Sequence, residues 1–197
     1  MLLDAMFPFL IFVTLMVSTP GPGNLTLLAI GQSTGFRSGL PFLGGCLLGM
    51  GLLNVLTGFG LGRLVAASPA LGVGLKAVGT AYILYLGWKI LNMQIGEART
   101  SRRFSLWEGC VLHPLSPKSW AMSLTGAVQF INPARPLAPQ VAVFALSFTI
   151  AQILFHGMWL GAGSSVLGLL GQGRVLKTCN VAAAGLMVGA TVWALFV

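Results

Sequence analysis

The sequence predicts an all-α, polytopic membrane protein with six transmembrane helices, and three observations support this fold class. Only 7% of the 197 residues are charged, whereas a soluble domain carries about 25%. Hydrophobic types make up 56% of the chain, and the mean hydropathy is +0.90. The charged residues separate apolar stretches near the length of about 20 residues that a crossing needs. This composition excludes a soluble enzyme and a free nucleic-acid-binding protein, and we treat residues 1–197 as a single transmembrane domain.

The first three crossings precede a basic segment. We expect the first crossing over residues 3–30, with a turn inside it, because a Pro/Gly-rich sequence interrupts an otherwise apolar run. The second crossing is predicted over residues 38–62, a stretch without charge, and the third over residues 70–91. Residues 94–108 then form a basic loop that is too polar to cross a membrane.

Three further crossings are predicted after this loop. The fourth covers residues 109–131 and contains several helix-breaking residues. The uncharged interval that follows is too long for one perpendicular crossing of a hydrocarbon core about 30 Å thick. We therefore expect the fifth crossing at residues 138–160, broken near residues 161–165 and followed by a short helix toward the interface. The sixth crossing is predicted at residues 178–197, which carry no charge.

Basic residues predict the orientation of these crossings, because cytoplasmic loops carry the excess of lysine and arginine. The first, third and fifth loops hold six of them: Arg37, Arg99, Arg102, Arg103, Arg174 and Lys177. The second and fourth loops hold two, Arg63 and Arg135. The loop at 94–108 is therefore predicted to be cytoplasmic and both chain ends to lie outside. The same basic residues suit contacts with anionic lipid headgroups.

A helix break is predicted inside the first crossing, where residues 18–24 read Ser-Thr-Pro-Gly-Pro-Gly-Asn. Two prolines remove amide donors and two glycines relax the backbone, so a continuous helix is unstable here. Unwound backbone at membrane depth is tolerated only where it is buried in protein or lines a wet cavity. The break thus indicates a site; the alternative is a plain loop, since residues 3–17 alone nearly span the membrane.

A second break is predicted at residues 113–119, which read His-Pro-Leu-Ser-Pro-Lys-Ser. If the chain consists of halves 1–93 and 109–197, each break lies in the first helix of its half. Matching interruptions in corresponding positions are typical of transporters built from repeats, with the substrate between them. Three crossings per half is an odd number, so the two repeats would be inverted. A plain loop is again the alternative.

Patterns that indicate catalysis or metal binding are not found in the sequence. It has no His/Glu metal cluster, no Ser-His-Asp set and no paired acids at catalytic spacing. Its three cysteines, Cys46, Cys110 and Cys179, lie far apart in or beside apolar runs. We interpret them as buried thiols and expect no enzyme activity, no cofactor and no metal.

The motifs around both breaks resemble those of the LysE/RhtB family of amino-acid exporters. Three segments appear in that family's order between about residues 10 and 132: TPGPGN with the following LTLLAIGQSTGFRSGLPFLGGCLLG, then SPALGVGLKAVGTAYILYLGWKIL, then SPKSWAMSLTGAVQF. The family's first motif, PGPN or PGPxN, is matched by Pro20, Gly21, Pro22 and Asn24. The chain after residue 132 matches only in its general hydrophobic character.

Two departures from the family pattern lie in the second half. The family's NPK motif is replaced by Ser116, Pro117 and Lys118, so the leading amide is missing. A later Gln-Phe pair is present as Gln129 and Phe130, but the proline that normally precedes it is a valine.

The resemblance implies an exporter of small amino acids or close derivatives, driven by the proton gradient across a bacterial inner membrane. It implies a small amino-acid substrate and membrane lipids as partners, no nucleic acid, and a second copy of the chain as a candidate partner in a homodimer. A channel or facilitator without proton coupling is the alternative function. This alternative is favoured by the lack of a predicted carboxylate in the middle of the membrane. Asp4, Glu97 and Glu108 all lie at predicted span ends or in a loop.

Eight residues at the two breaks are the candidate substrate-binding residues: Thr19, Pro20, Gly21, Pro22, Asn24, Ser116, Pro117 and Lys118. Free amides around residues 24–26 suit a carboxylate, because a helix N-terminus carries about half a positive charge. Carbonyls of Pro20 and Pro22, with the side-chain oxygens of Thr19 and Asn24, suit an ammonium group. Lys118 has two open roles, as a substrate ligand or as a cap on carbonyls released by the other break.

Two histidines are the candidates for proton coupling. His113 adjoins the second break, and His156 lies in the later part of the fifth crossing. Histidine titrates near neutral pH and therefore suits a proton relay. The alternative is that each histidine is a hydrogen-bonded packing residue.

Overall fold

Helices account for all regular secondary structure in the residues that the structure describes. The structure is a computed structural model, and it describes residues 3–93, 104–170 and 174–193. Its helices are α1 (Leu3–Ser18), α2 (Pro22–Thr34), α3 (Phe36–Gly58), α4 (Leu61–Ala66), α5 (Pro69–Leu91), α6 (Leu106–Leu115), α7 (Pro117–Phe130), α8 (Leu137–Leu170) and α9 (Arg174–Trp193). Most of the predicted basic loop, including Arg99, Arg102 and Arg103, lies outside the described residues.

Several of these helices are long and apolar enough to cross a membrane. In the described part of the chain, four qualify singly: Phe36–Gly58, Pro69–Leu91, Leu137–Val166 and Arg174–Val192. α1 and α2 qualify as a pair bent by 50°. Large apolar side chains also cover the outer surface, where Phe7 is 73% and Leu146 60% exposed. The protein is therefore an all-helical, multi-pass membrane protein, as the sequence predicts.

Residues 109–131, the fourth predicted crossing, lie in α6 and α7, which do not qualify as a membrane span singly or as a pair in the described chain. These helices contain 10 and 14 residues, so each is shorter than the roughly 20 residues of a crossing. The six-crossing arrangement with inverted halves 1–93 and 109–197 stays a prediction.

Both predicted helix breaks are present. α1 ends at Ser18 and α2 begins at Pro22, because proline at the first helical position lacks an amide and starts a new helix. The second break is narrower than predicted, since only Ser116 separates α6 from α7. Ser116 has extended backbone angles (φ −89°, ψ 120°), as expected for a residue before a proline. Neither break is a long loop.

The predicted interruption of the fifth crossing is wrong. α8 continues without a break through residues 161–165, and no short interfacial helix follows residue 160 in the described chain. The glycines there permit close packing instead, because a Cβ added at Gly163 would overlap the carbonyl oxygen of Leu28 in α2. Gly31 of α2 faces the carbonyl oxygen of Leu160 in the same way. The glycines thus bring two helix backbones together rather than ending a helix.

Glycines also set the contact between α3 and α6. A Cβ at Gly45 would overlap the carbonyl oxygen of Leu106, and one at Gly49 would overlap that of Cys110. In return, Gly109 of α6 faces the carbonyl oxygen of Phe42. Small residues allow this close approach of membrane helices, and the contact fixes the position of α6 just before the second break.

Several helix ends differ from the predicted spans by about one turn. α3 begins at Phe36 and ends at Gly58, whereas the prediction was residues 38–62. α9 begins at Arg174 rather than at residue 178, and residues 194–197 lie outside the described chain. α3 stops short of Arg63 at a turn that contains Gly60 (φ 99°), whereas α9 reaches back to Arg174, because a helix continues into the headgroup region.

Two hydrophobic clusters form the interior. The first joins α2, α3, α5, α6, α8 and α9 and includes Ile83, Leu112 and Met187. The second is rich in aromatic residues and includes Phe9, Phe144 and Phe148 from α1 and α8, with ring centroids 5.0–6.3 Å apart. The breaks in α1–α2 and α6–α7 lie where these two clusters meet.

Candidate functional site

The two helix breaks contact each other through Lys118. Its ammonium nitrogen donates hydrogen bonds to Thr19 Oγ1 (2.8 Å), the Thr19 carbonyl (3.0 Å) and the Pro20 carbonyl (3.2 Å). The lysine stem passes beside Gly21, where an added Cβ would lie 3.0 Å from the nitrogen. The ammonium group of Lys118, at the second break, therefore binds backbone carbonyls at the first break.

The remaining carbonyls at the end of α1 are also paired. Asn24 Nδ2 donates to the carbonyls of Val17 and Thr19, both at 2.9 Å. Trp159 Nε1 of α8 donates to the Ser18 carbonyl at 3.2 Å. Asn24 is 3% exposed and its Oδ1 has no hydrogen-bond partner. The Nδ2 atom of Asn24 thus stabilises the break, and its Oδ1 atom is available to accept a hydrogen bond from a further donor.

The start of α2 presents free amide groups. Leu25 N donates to the Gly21 carbonyl at 2.9 Å, so the first helical hydrogen bond already uses that amide. The amides of Gly23 and Asn24 precede it and lack intrahelical partners, and no side chain caps this helix end. The prediction of free amides around residues 24–26 is therefore correct for Asn24 and wrong for Leu25, and it missed the free amide of Gly23.

Two stacked histidines lie beside these amides. The rings of His113 and His156 have centroids 5.6 Å apart and planes inclined by 30°. His113 Nδ1 is 2.8 Å from Ser119 Oγ, and Gln152 Nε2 is 3.2 Å from His113 Nε2. An added Cβ at Gly23 would lie 3.1 Å from His156 Nε2.

Unpartnered polar atoms are concentrated at this place. Among the described residues, five buried side-chain atoms lack a hydrogen-bond partner, and four of them belong to residues that line one cavity: Asn24 Oδ1, Ser116 Oγ, Gln152 Oε1 and His156 Nδ1. Buried polar groups in proteins are nearly always hydrogen-bonded. Such a concentration indicates a place for a polar ligand or for water.

The cavity between the breaks is narrow. Its volume is about 30 Å³, which holds about two water molecules. Leu112 of the first hydrophobic cluster and Met122 of the second both line it. The conformation described is therefore closed around the polar groups, and a larger solute requires the surrounding helices to separate.

The ten residues singled out from the sequence all lie at this cavity or its mouth. Those that line it are Gly21, Pro22, Asn24, His113, Ser116, Lys118 and His156. Thr19 and Pro20 are exposed and bind Lys118 at the mouth. Pro117 begins α7 between two lining residues.

Sequence reasoning missed Gln152, which is 1% exposed and contacts His113. A signal for it was present, because Gln152 precedes His156 by four residues and thus lies on the same face of α8. Gly23 was also missed as a contact point for the histidines. Its role depends on how closely α8 approaches α2, which residue type alone does not show.

A buried ion pair outside the cavity was missed as well. Lys89 Nζ of α5 lies 2.5 Å from Glu108 Oε1 of α6, and their side chains are 6% and 14% exposed. Tyr85 donates a hydrogen bond to the same carboxylate oxygen at 2.8 Å. Ser105 and Glu108 form a capping box at the start of α6, and Lys89 lies 4.3 Å from the ring centre of Phe104. This cluster fastens α5 to α6.

Metal chemistry has no support in the described part of the chain. There, no group of three or more His, Cys, Asp or Glu side chains is placed to hold a metal ion. The three cysteines are free thiols, but only Cys46 is buried; the prediction of buried thiols is wrong for Cys110 and Cys179, which are half-buried.

Comparison with known proteins decides the family. The model of the family described as LysE type translocator matches residues 14–196, a range that contains every cavity residue discussed above. This chain belongs to that family. The LysE type translocator is accordingly a membrane transport protein and not an enzyme.

Three relatives of this translocator carry named transport roles. It is 26% identical over 192 residues to the homoserine/homoserine lactone efflux protein of Salmonella typhimurium, covering 93% of each chain. It is 29% identical to the cysteine/O-acetylserine efflux protein of Salmonella paratyphi A, over 68% of this chain and 67% of the relative. It is 27% identical to the leucine efflux protein of Klebsiella pneumoniae, over 75% and 72% of the two chains. No solved structure matches the chain significantly.

Proposed function

We propose that this translocator exports a small amino acid, or a close derivative, across the inner membrane of a bacterium. The observation that carries the proposal is the meeting of the two helix breaks, which places free amides and grouped carbonyls at one cavity. The efflux roles in the names of the homoserine, cysteine and leucine relatives support this substrate class.

An amino acid is a zwitterion, and the cavity offers groups of both polarities. The amides of Gly23 and Asn24 suit the carboxylate, because the α2 N-terminus carries a partial positive charge. Backbone oxygens at Thr19 and Pro20, together with Asn24 Oδ1, suit the ammonium group. Hydroxyl and amide oxygens without partners nearby, at Ser116 and Gln152, suit polar atoms of the substrate side chain.

Each proposed binding residue has a distinct part in this scheme. Pro20 and Pro22 keep the backbone unwound, and Pro117 does the same at the second break. Gly21 gives the Lys118 stem room to reach the carbonyls. While no substrate is bound, the Lys118 ammonium group donates hydrogen bonds to the carbonyls of the first break.

Transport requires the closed cavity to open, because about 30 Å³ does not hold an amino acid. We propose that the halves 1–93 and 109–197 are inverted three-helix repeats, each with a broken first helix. Rocking of one half against the other would then expose the cavity alternately to the two sides. On the described residues, the two halves meet at the cavity where Lys118 binds Thr19 and where His156 lies beside Gly23.

Proton antiport is the proposed energy source, and His113 and His156 are the proposed coupling residues. Their stacked rings lie next to the free amides of α2, so a change of charge on either ring alters the binding of an anionic carboxylate. Glu108, by contrast, is paired with Lys89 and does not line the cavity. The histidines are thus the titratable groups best placed to link proton and substrate.

Reconstituted proteoliposomes test this function. Purified protein is inserted into vesicles loaded with L-homoserine, L-leucine or L-cysteine, and efflux is followed with and without an imposed pH gradient. We expect efflux of at least one amino acid that accelerates when protons can enter in exchange, and protein-free vesicles give the background. His113→Gln and His156→Gln are expected to retain binding but to lose the response to the gradient. Efflux that ignores the pH gradient would instead assign a channel or facilitator.

A further inference from the structure

We propose that the ammonium group of Lys118 occupies the binding site of the substrate's ammonium group, so that lysine and substrate compete for it. The inference rests on the proposed export of amino acids and concerns the regulation of the same site. The site consists of three oxygen atoms, Thr19 Oγ1 and the carbonyls of Thr19 and Pro20, and we call it the oxygen cage.

The oxygen cage fits one primary ammonium group completely. Such a group has three N–H donors, and Lys118 directs them to three acceptors at 2.8, 3.0 and 3.2 Å. The α-ammonium group of an amino acid has the same three donors in the same tetrahedral arrangement. Both groups cannot occupy the cage together, because each uses all of its acceptors.

Other hydrogen bonds hold the oxygen cage in place without Lys118. The Thr19 hydroxyl donates its own proton to the Met16 carbonyl at 3.0 Å, which leaves its oxygen lone pairs free to accept. Asn24 Nδ2 fixes the Thr19 carbonyl at 2.9 Å. The cage is therefore preformed by α1 and α2, whereas its occupant comes from α7.

Lys118 is able to leave the oxygen cage. Its flexible four-carbon stem lies against Gly21, where Cδ and Nζ would be 3.1 and 3.0 Å from an added Cβ. Thr19 and Pro20 are exposed, so an incoming ammonium reaches the cage from outside the helix bundle. Lys118 then keeps the carbonyls paired in the empty carrier, and the released lysine stays near the cavity when the substrate binds.

Competition and a direct ligand role predict opposite effects of removing the lysine. If Lys118 binds substrate, Lys118→Met weakens substrate binding. If Lys118 competes, the same variant strengthens substrate binding, because the lysine no longer fills the oxygen cage and every molecule is able to bind. With the cage open about a tenth of the time in the wild type, the gain is about tenfold.

The first measurement uses methylammonium as a probe of the oxygen cage. Purified full-length wild type and Lys118→Ala are heated in detergent with methylammonium chloride, or with tetramethylammonium chloride at equal ionic strength as a cation without N–H donors. We expect methylammonium to raise the unfolding midpoint of Lys118→Ala, and to raise that of the wild type less, because Lys118 fills its cage most of the time. No rise beyond that given by tetramethylammonium would overturn the proposal.

The second measurement uses L-homoserine and L-leucine as probes in calorimetric titrations of wild type and Lys118→Met. Methionine keeps the length of the side chain without its charge, so this variant also serves if Lys118→Ala does not fold. About tenfold tighter binding to Lys118→Met supports competition, and equal or weaker binding overturns it. The methylammonium titration needs neither amino acid nor transport, so failure of the export proposal is distinguishable from failure of this one.

Discussion

Two positions at the cavity require glycine, because atoms of other residues fill the space that a side chain would need. Gly21 faces Lys118, and Gly23 faces both histidines. An added Cβ at Gly23 would lie 3.1 Å from His156 Nε2 and 3.7 Å from His113 Nε2. The first of these distances is tighter than an ordinary van der Waals contact, so the His156 ring must shift.

We predict that Gly23→Ala impairs efflux without preventing membrane insertion. The His156 ring moves by a few tenths of an ångström, and a displacement on this scale in a preorganised site lowers its rate by about tenfold or more. The control is Gly157→Ala, which lies next to His156 in α8 and has no atom within 4 Å of the added Cβ. Initial efflux rates from proteoliposomes with matched protein content check the prediction. Equal rates for the two variants would show that the histidine position does not matter.

At the residue scale, the sequence was sufficient to find the polar residues around the breaks. Proline and glycine act on the local backbone, so Pro22 and Pro117 mark the breaks without any knowledge of packing. The sequence left two roles open for Lys118, because a long flexible side chain is able to reach several partners. Gln152 was missed because its contact with His113 joins residues 39 positions apart.

At the scale of helices, backbone-to-backbone contact holds α2 against α8. Gly31 and Gly163 face each other's helix, and carbonyl oxygens lie where their side chains would be. The backbone of a helix yields less readily than a side chain does. A single methyl group at this contact is therefore expected to push the two helices apart.

Gly163→Ala is predicted to destabilise the fold by about 1–3 kcal/mol, the usual cost of overpacking. Gly161→Ala is the matched control, because its added Cβ would meet only the Phe36 ring at 3.9 Å. Alanine favours a helix equally at both positions, so the difference between the variants reports the contact with α2. Thermal unfolding midpoints in one detergent measure it. If both variants unfold together, α8 is not packed on α2 as described.

The buried pair Lys89–Glu108 gives a second prediction for the helices. Glu108→Gln removes the carboxylate that pairs with the Lys89 ammonium, whose side chain is 6% exposed, and is expected to cost about 1–3 kcal/mol, because a buried charged donor loses a charged acceptor. Glutamine preserves the capping box at the start of α6, so the loss reports the ion pair. The double variant Lys89→Met/Glu108→Gln is expected to recover part of the stability in thermal unfolding. A single variant as stable as the wild type would exclude a structural role for the pair.

The limits of sequence reasoning are visible in α8. The apolar run and its long uncharged interval were recognised, but glycines at residues 161–165 were interpreted as a helix break. Glycine weakens an isolated helix and also permits close helix packing. Only the position of α2 decides between these effects, and a single sequence does not contain that position.

At the scale of the whole molecule, an even number of crossings places both chain ends on one side of the membrane. The six-to-two distribution of basic residues between alternate loops favours the outside for both ends. This arrangement is a proposal about the chain in its membrane.

Reporter fusions measure the orientation. We predict that alkaline phosphatase fused after residue 197 is active and that a green fluorescent protein at the same place is dark. Fusions in the basic loop, after residue 100, are expected to give the reverse pattern and serve as the internal control. A fluorescent full-length fusion would contradict the outward position of the chain end.

The relation between the two halves was predictable in part. Corresponding breaks in the two halves indicated a shared site before any coordinates, and the breaks do meet through Lys118 and Thr19. The closed state of the cavity was not predictable, because the spacing of helices depends on packing over the entire bundle.

Efflux from proteoliposomes containing Pro20→Ala/Pro22→Ala tests most directly whether the broken helices form the transport site. Both substitutions favour a continuous first helix, which would remove the free amides of Gly23 and Asn24 and the oxygens that hold Lys118. We predict normal insertion and loss of amino-acid efflux, with the wild type in matched vesicles as the reference. Efflux at the wild-type rate from a well-inserted double variant would contradict this assignment of the site.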